Sequence, residues 1–325
     1  VSHSSRRQTR KPTRGLQLLL KHPLSRGMQL CIICNANTGE RSFDYTKNGH
    51  DCTWTNGDGT TDWDKPANNI GGIARDFDGS NDHGALGTMD IFADDFQSKA
   101  DGITMEIMLK LDDISSPSDM RFLSKASSTA EDDHEWMLGG VDSGGNERVR
   151  TRIQDGAGLV ETSVSDTGPA LVTGTWYHIF GLWRHKDLVL GGGSVIEHWV
   201  NNVRTFRGAT ITIAQADGLT IASTISAEIG RNPGASPFGA MQGQVAWCRI
   251  WNYGLSPESI KWLFKKPFCM FYEDSIARWA QVAAAPTRRR VIIIGSALWA
   301  ANVLKQSLKN EKCSRQKFFK KLIWS

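Results

Sequence analysis

This sequence predicts an all-β sandwich or jelly roll with one short C-terminal helix and basic tails. Three observations predict it. Short apolar runs with a two-residue period recur through the middle of the chain, clusters of Gly, Asn and Asp separate them, and a helical period is almost absent. The 325 residues are 40% hydrophobic and include 12 Trp and 13 Phe, enough apolar surface for one large β domain or two smaller ones.

The chain starts with Val rather than Met, which leaves open an upstream segment. Residues 1–26 carry seven Lys/Arg and no acid, and they read as a basic, disordered N-terminal segment. The apolar stretch 15–20 is too short for a signal-peptide core. Met28 to Cys34 is the first expected strand. A loop-rich region follows, with turn clusters at 45–51 and 55–59 that continue through Trp63 to Pro66.

Ile73-Ala74 and Ala85-Leu86 read as short strands on either side of Asp76-Phe77-Asp78-Gly79-Ser80-Asn81-Asp82. This connection has turn chemistry, because Gly79 tolerates positive φ and Asn and Asp side chains bond nearby backbone. It reads as a solvated turn or, with ligands from elsewhere in the fold, as an oxygen-rich cation site. Asp78, Asn81 and Asp82 are the candidate metal ligands.

Residues 103–111 alternate, with Ile103, Met105, Ile107, Leu109 and Leu111 on one face of a half-buried strand. Further strands are expected at 120–124, 135–138, 148–154, 175–185, 195–200, 227–230 and 244–251. In 175–185, Trp176, His178, Phe180 and Leu182 oppose Tyr177, Ile179 and Trp183. One helix is expected at about 257–264. Ser256 can cap it, Pro257 suits its first turn, Glu258 complements its dipole, and Ile260, Leu263 and Phe264 share a face.

Beyond Ala283-Ala284-Ala285-Pro286, residues 288–325 carry ten Lys/Arg and one Glu. They include an apolar run from Val291 to Leu304, short of the ~20 residues of a membrane span. It suits a short anchor or interfacial helix, or a packed terminal element. Residues 27–287 hold 21 Lys/Arg against 33 Asp/Glu, so an acidic body lies between basic ends. Nucleic acid is not expected as a partner of that body, whereas 288–325 could contact a membrane or an acidic partner.

Cys31 and Cys34 form a CxxC in apolar surroundings, and neither a second CxxC nor paired His completes a zinc set. Buried thiols are the favoured reading, with disulfides the alternative. No Ser/His/Asp set, P-loop or dinucleotide fingerprint is present.

Six segments in order resemble the laminin-G-like branch of the concanavalin A-like lectin/glucanase superfamily. They are Asp76 to Asp82 (like F-D-G-x-x-D), Ile103 to Met108, Gly174-Thr175-Trp176-Tyr177-His178-Ile179, Glu197 to Asn202 (like L-Y-V-N-G), Glu228-Ile229-Gly230-Arg231-Asn232 (like I-G-R-N) and Gly243 to Ser256. The resemblance implies an antiparallel two-sheet jelly-roll sandwich over residues 27–275, with 276–325 as linker and basic C-terminal segment. It also implies a glycan or protein-surface ligand, sometimes bound through calcium. Where relatives often carry an acid before V-R-I, this chain has Ala246-Trp247, which weakens the calcium inference.

The resemblance makes a non-catalytic recognition or adhesion module the favoured function, with carbohydrate as ligand and an extracellular, surface or virion-associated location. Trp54, Trp63 and Trp136, near loops, are the candidate ligand-binding aromatics, whereas Trp176, Trp199 and Trp251 are expected in the core. Two alternatives stand beside this reading. One is a structural or display protein attached through its C-terminal segment. The other is a glycoside hydrolase, but Glu131 and Asp133 match a glucanase E-x-D-x-x-E only in part, since position 136 is Trp. No catalytic residue is assigned.

Overall fold

A computed structural model describes residues 16–35, 39–57, 63–64, 73–89, 102–114, 120–126, 134–142, 147–154, 160–164, 170–187, 193–211, 226–233 and 239–273. The first strands are β1 Leu16–Leu18, β2 Met28–Ile33, β3 Arg41–Ser42, β4 Cys52–Thr55, β5 Trp63–Asp64, β6 Ala74–Asp78 and β7 His83–Ala85. The long central ones are β8 Gly102–Leu111, β9 Arg121–Ala126, β10 His134–Asp142, β11 Glu147–Gln154, β12 Val160–Val164 and β13 Trp176–Asp187. They are followed by β14 Gly193–Val200, β15 Val203–Ile211, β16 Ala227–Ile229, β17 Gln242–Trp251, the helix α1 Pro257–Lys265 and β18 Phe271–Glu273.

Two large antiparallel sheets form the sandwich. One has the order β12-β11-β10-β9-β16-β7-β4-β3, the other β15-β14-β13-β8-β17-β6-β5 with β2 also on β17. Strand β17 is long enough to pair twice along one side. Its residues 242–245 face β6 and 247–251 face β2, while β8 runs along its other side. Neither sheet closes into a barrel.

The alternation in β8 has the expected consequence. Ile103, Met105, Ile107, Leu109 and Leu111 are all buried in the core between the sheets, in one cluster with Phe122 and Leu138 of the opposite sheet and Trp183 of the neighbouring strand. Each such side chain contributes about 1.5–3 kcal/mol by leaving water. On β13, Tyr177, Ile179 and Trp183 join the same core.

A second apolar layer covers the outer face of the β8–β13–β17 sheet. Phe180 and Leu182 of β13 and Trp247 and Trp251 of β17 pack there beneath Ile260 and Leu263 of α1 and residues 268–271. The helix forms for the expected reasons. Ser256 Oγ accepts from Ser259 N at 3.2 Å, Pro257 opens the first turn, and Glu258 sits at the positive end of the dipole.

The N-terminal segment departs from expectation. Disorder was expected to residue 26, but residues 16–26 include β1 and a 3-10 turn at Pro23–Ser25. Leu24 is buried in the outer layer, its carbonyl accepts from Trp251 Nε1 at 2.7 Å, and Leu19 N donates to Met270 O at 2.8 Å. The cause is apolar: Leu18 and Leu24 cover the outer layer despite the basic residues around them. The short strands β3, β4 and β5, and the edge strands β12 and β15, were not anticipated either, because their runs are brief or polar.

Contacts divide the chain into a unit of residues 1–272 and a unit of residues 273–325. Of the second, only Glu273 is described, so the expected linker, the basic segment 288–325 and its apolar run lie outside the described residues. Among the described residues no helix is long and apolar enough to cross a membrane. No disulfide joins the five described cysteines, all buried. Burial pushes the thiols of Cys31, Cys52 and Cys248 well up, and that of Cys269 to about 11.

Candidate functional site

The turn between β6 and β7 is where the sequence-predicted ligands meet residues from a distant strand. Asp78 ends β6, and its Oδ1 accepts from Ser80 N at 2.7 Å and Asn81 N at 3.3 Å. Asp82 Oδ2 accepts from Asp78 N at 3.1 Å. Gly79 turns the chain at φ 78°, and a Cβ there would lie 2.8 Å from Gln242 Cβ, so both conformation and space call for glycine.

Strand β16 supplies the other half. Glu228 pairs with Ala85 of β7, and the chain then bends at Gly230, whose φ of 89° leaves room for the Phe77 ring. A Cβ on Gly230 would lie 2.5 Å from that ring, so the two motifs around Phe77 and Gly230 lock together. The bend aims Arg231 at His83. Arg231 Nε donates to Glu228 Oε2 at 2.7 Å, and Arg231 Nη2 lies 3.1 Å from His83 Nε2. His83 Nδ1 lies 3.0 Å from the Asn81 carbonyl, which also accepts from Asn56 Nδ2 at 3.1 Å. A carbonyl can only accept and a guanidinium only donate, so His83 carries its proton on Nδ1 and accepts at Nε2.

Glu228, Arg231 and His83 thus form a mostly buried brace, and Asn56, Asp78, Ser80 and Asn81 are exposed above it. The exposed set offers amide, hydroxyl and carboxylate groups, which can bond hydroxyl-rich ligands. It holds no paired nucleophile and base.

Calcium at this turn would need ligands beyond Asp78, Asn81 and Asp82. The ion takes about six to eight oxygen ligands. Here one oxygen each of Asp78 and Asp82 is committed to backbone N–H groups, and the Asn81 carbonyl already has two partners. Among the described residues no group of three His, Cys, Asp or Glu is placed to hold a metal ion. At position 247 the Trp side chain serves another purpose, since its Nε1 donates to Glu106 Oε1 at 3.1 Å.

The three candidate tryptophans are not at a surface. Trp54 is 2% exposed, Trp63 8% and Trp136 0%. Trp54 lies on β4, edge-on to Trp63 and Phe77, with its Nε1 donating to Ser42 Oγ at 3.0 Å. The Arg75 guanidinium lies over both Trp54 and Trp63. Proximity to loops in the sequence misled here: these positions fall on inward-facing strand residues, and protein atoms take the ring faces a sugar would need.

The described carboxylates in the second sheet are likewise engaged. Glu106 Oε1 accepts from Arg249 Nη2 at 2.5 Å and from His178 Nε2 at 2.6 Å. Burial raises the Glu106 pKa, but Arg249, His178 and Trp247 outweigh it and hold the carboxyl below its ordinary range. Glu197 Oε1 lies 2.6 Å from Arg184 Nη1 and 3.2 Å from Arg207 Nε, and Oε2 accepts from Trp199 Nε1 at 3.0 Å. Glu131 and Asp133 lie outside the described residues.

Sequence reasoning found Asp78, Asn81 and Asp82 but not their partners Asn56, His83, Glu228 and Arg231. Glu228 and Arg231 stood in a quoted motif, yet only the pairing of β16 with β7 reveals that this motif reaches the turn.

No curated protein matches this chain. Among similar solved structures is domain 4 of the extracellular arabinanase AbnA from Geobacillus stearothermophilus in complex with arabinotriose. It is 16% identical, with 73% of this chain and 97% of that one covered, at a TM-score of 0.48. A sialidase from Trypanosoma rangeli in complex with sialic acid is 13% identical at a TM-score of 0.48; 75% of this chain matches, but only 33% of the sialidase's length. A pentraxin from Limulus polyphemus is 12% identical, with 51% of this chain and 70% of that one covered, at a TM-score of 0.38. A laminin-G family model, described as concanavalin A-like lectin/glucanases superfamily, matches residues 78–261. That match spans more than half of the chain and begins at the site's own Asp78, so the chain belongs to the concanavalin A-like lectin/glucanases superfamily.

Proposed function

We propose that this chain is a non-catalytic recognition or adhesion module that binds carbohydrate on a cell or particle surface. The observation that carries the reading is the exposed polar set Asn56, Asp78, Ser80 and Asn81, braced from beneath by Glu228, Arg231 and His83. Preformed amides and carboxylates of this kind meet sugar hydroxyls without reorganising. Membership of a superfamily of lectins and glucanases supports a carbohydrate ligand, although fold alone does not assign one.

Binding is favoured over hydrolysis because a glycosidase needs two carboxylates flanking one bond, about 5–9.5 Å apart. Among the described residues, Glu106, Glu197 and Glu228 are instead buried against arginines. Carboxylate oxygens of the turn already accept from backbone N–H groups, which supports binding that does not require calcium.

A glycan array probed with the full chain, with calcium and with chelator, tests the reading. Binding is expected in both, and Asp78→Ala should weaken it about tenfold through loss of a charged hydrogen-bond partner. A blank array with folded protein would overturn the proposal. Release of reducing sugar would move the reading to hydrolysis.

A further inference from the structure

The segment 19–22 and the outer side of α1 form a surface that is apolar at its centre and cationic at its border. Leu20 is 57% exposed and Trp262 42%. The His22 ring lies 5.2 Å from that of Trp262, and His22 N donates to Leu19 O at 2.8 Å, which sets segment 19–22 beside the outer side of α1. Trp262 is not exposed by fraying: α1 is capped at Ser256, and its other side buries Ile260 and Leu263. Around the patch Lys21, Arg26, Lys261 and Lys265 are exposed, and Glu258 is the only acid on the helix. The sequence leading into this surface is basic too, with seven Lys/Arg and no acid in residues 1–26.

We infer that this face docks on an anionic lipid surface, with Leu20 and Trp262 entering the headgroup region and the surrounding lysines meeting lipid phosphates and carboxylates. Indole suits that depth because it is apolar in body and polar at its N–H. Apolar insertion and basic attraction are each weak alone, and together they make a stable peripheral contact. The border carries the four basic residues Lys21, Arg26, Lys261 and Lys265 against the one acid Glu258, an excess that favours an anionic surface over a second copy of this chain. The patch shares no residue with the β6–β7 turn, so it stands or falls independently of carbohydrate binding.

The test uses the full chain in flotation with vesicles of phosphatidylcholine alone and of phosphatidylcholine mixed with phosphatidylserine. Binding is expected on the mixed vesicles only, weakening as salt rises. The Leu20→Ser/Trp262→Ala double variant should lose about tenfold or more in partitioning, as expected for two apolar side chains withdrawn from the interface. Its circular dichroism and thermal midpoint should match the parent, and Trp262→Phe should retain most of the binding. Failure of the parent to float with mixed vesicles would overturn the inference. So would undiminished binding of the double variant, since the basic ends alone would then be responsible. A parent dimer that the double variant splits would overturn it too, by making the patch a self-interface.

Discussion

The two faces of strand β8 both bury side chains, yet they are built from different chemistry. Toward the opposite sheet it presents Ile103, Met105, Ile107, Leu109 and Leu111; toward the helix it presents Thr104 and Glu106, both with no exposed surface. The difference follows from what can cover each face. Between the sheets Leu109 and its neighbours belong to a predominantly apolar cluster, so a charge placed there would be costly to bury. On the outer face Arg249 of β17 lies directly across from Glu106, and His178 and Trp247 sit diagonally. Glu106 can therefore be buried because each neighbouring strand brings it a donor.

This contrast can be broken most strongly at Arg249. Arg249→Ala leaves Glu106 buried without its main countercharge and should cost about 3–5 kcal/mol in urea denaturation, whereas replacing both residues by Leu should recover much of that loss. Leu109→Ala tests the inner face. It should cost about 2–5 kcal/mol through the cavity it leaves, with no second-site charge change able to restore it.

Titration sharpens the comparison further. Burial lowers the pKa of His198 to about 3, from an ordinary 6.5. Between those values the unfolded chain takes up a proton that the folded chain refuses. Stability should therefore fall as pH drops below 6.5, by about 1.4 kcal/mol per pH unit at most, and His198→Gln should flatten that slope. The Glu106 carboxyl, with its lowered pKa, adds stability above the ordinary carboxylate range that is lost as pH falls through the folded value. Glu106→Gln should remove that acid-range component and leave the His198 slope in place. The smallest effect is expected at the helix that closes the outer layer: Ser256→Ala should cost about 1 kcal/mol through the lost cap.

Legibility differed between fold and site for a physical reason. Strand alternation is a local property, so β8, β13 and β17 could be placed from their own residues. The capping of α1 by Ser256 and Pro257 was equally local. The site depends on register between β7 and β16, whose residues lie far apart in the chain. The Trp positions failed for the opposite reason. Turn residues near Trp54 and Trp63 suggested exposure, but the pleat of each short strand points the ring inward, where Arg75 stacks against both.

By itself the sequence determined a β sandwich with one capped helix, the inward rows of its long strands, and the turn at Gly79, because period, propensity and capping act over a few residues. Tertiary structure alone decided that Thr104 and Glu106, on the outer row of β8, are buried as well. It also decided that residues 16–26 join the fold, and that Glu228 and Arg231 lie beneath the Asp78 turn. Each of these depends on which distant segment arrives to exclude water or supply a partner. A strand's own alternation carries no record of that.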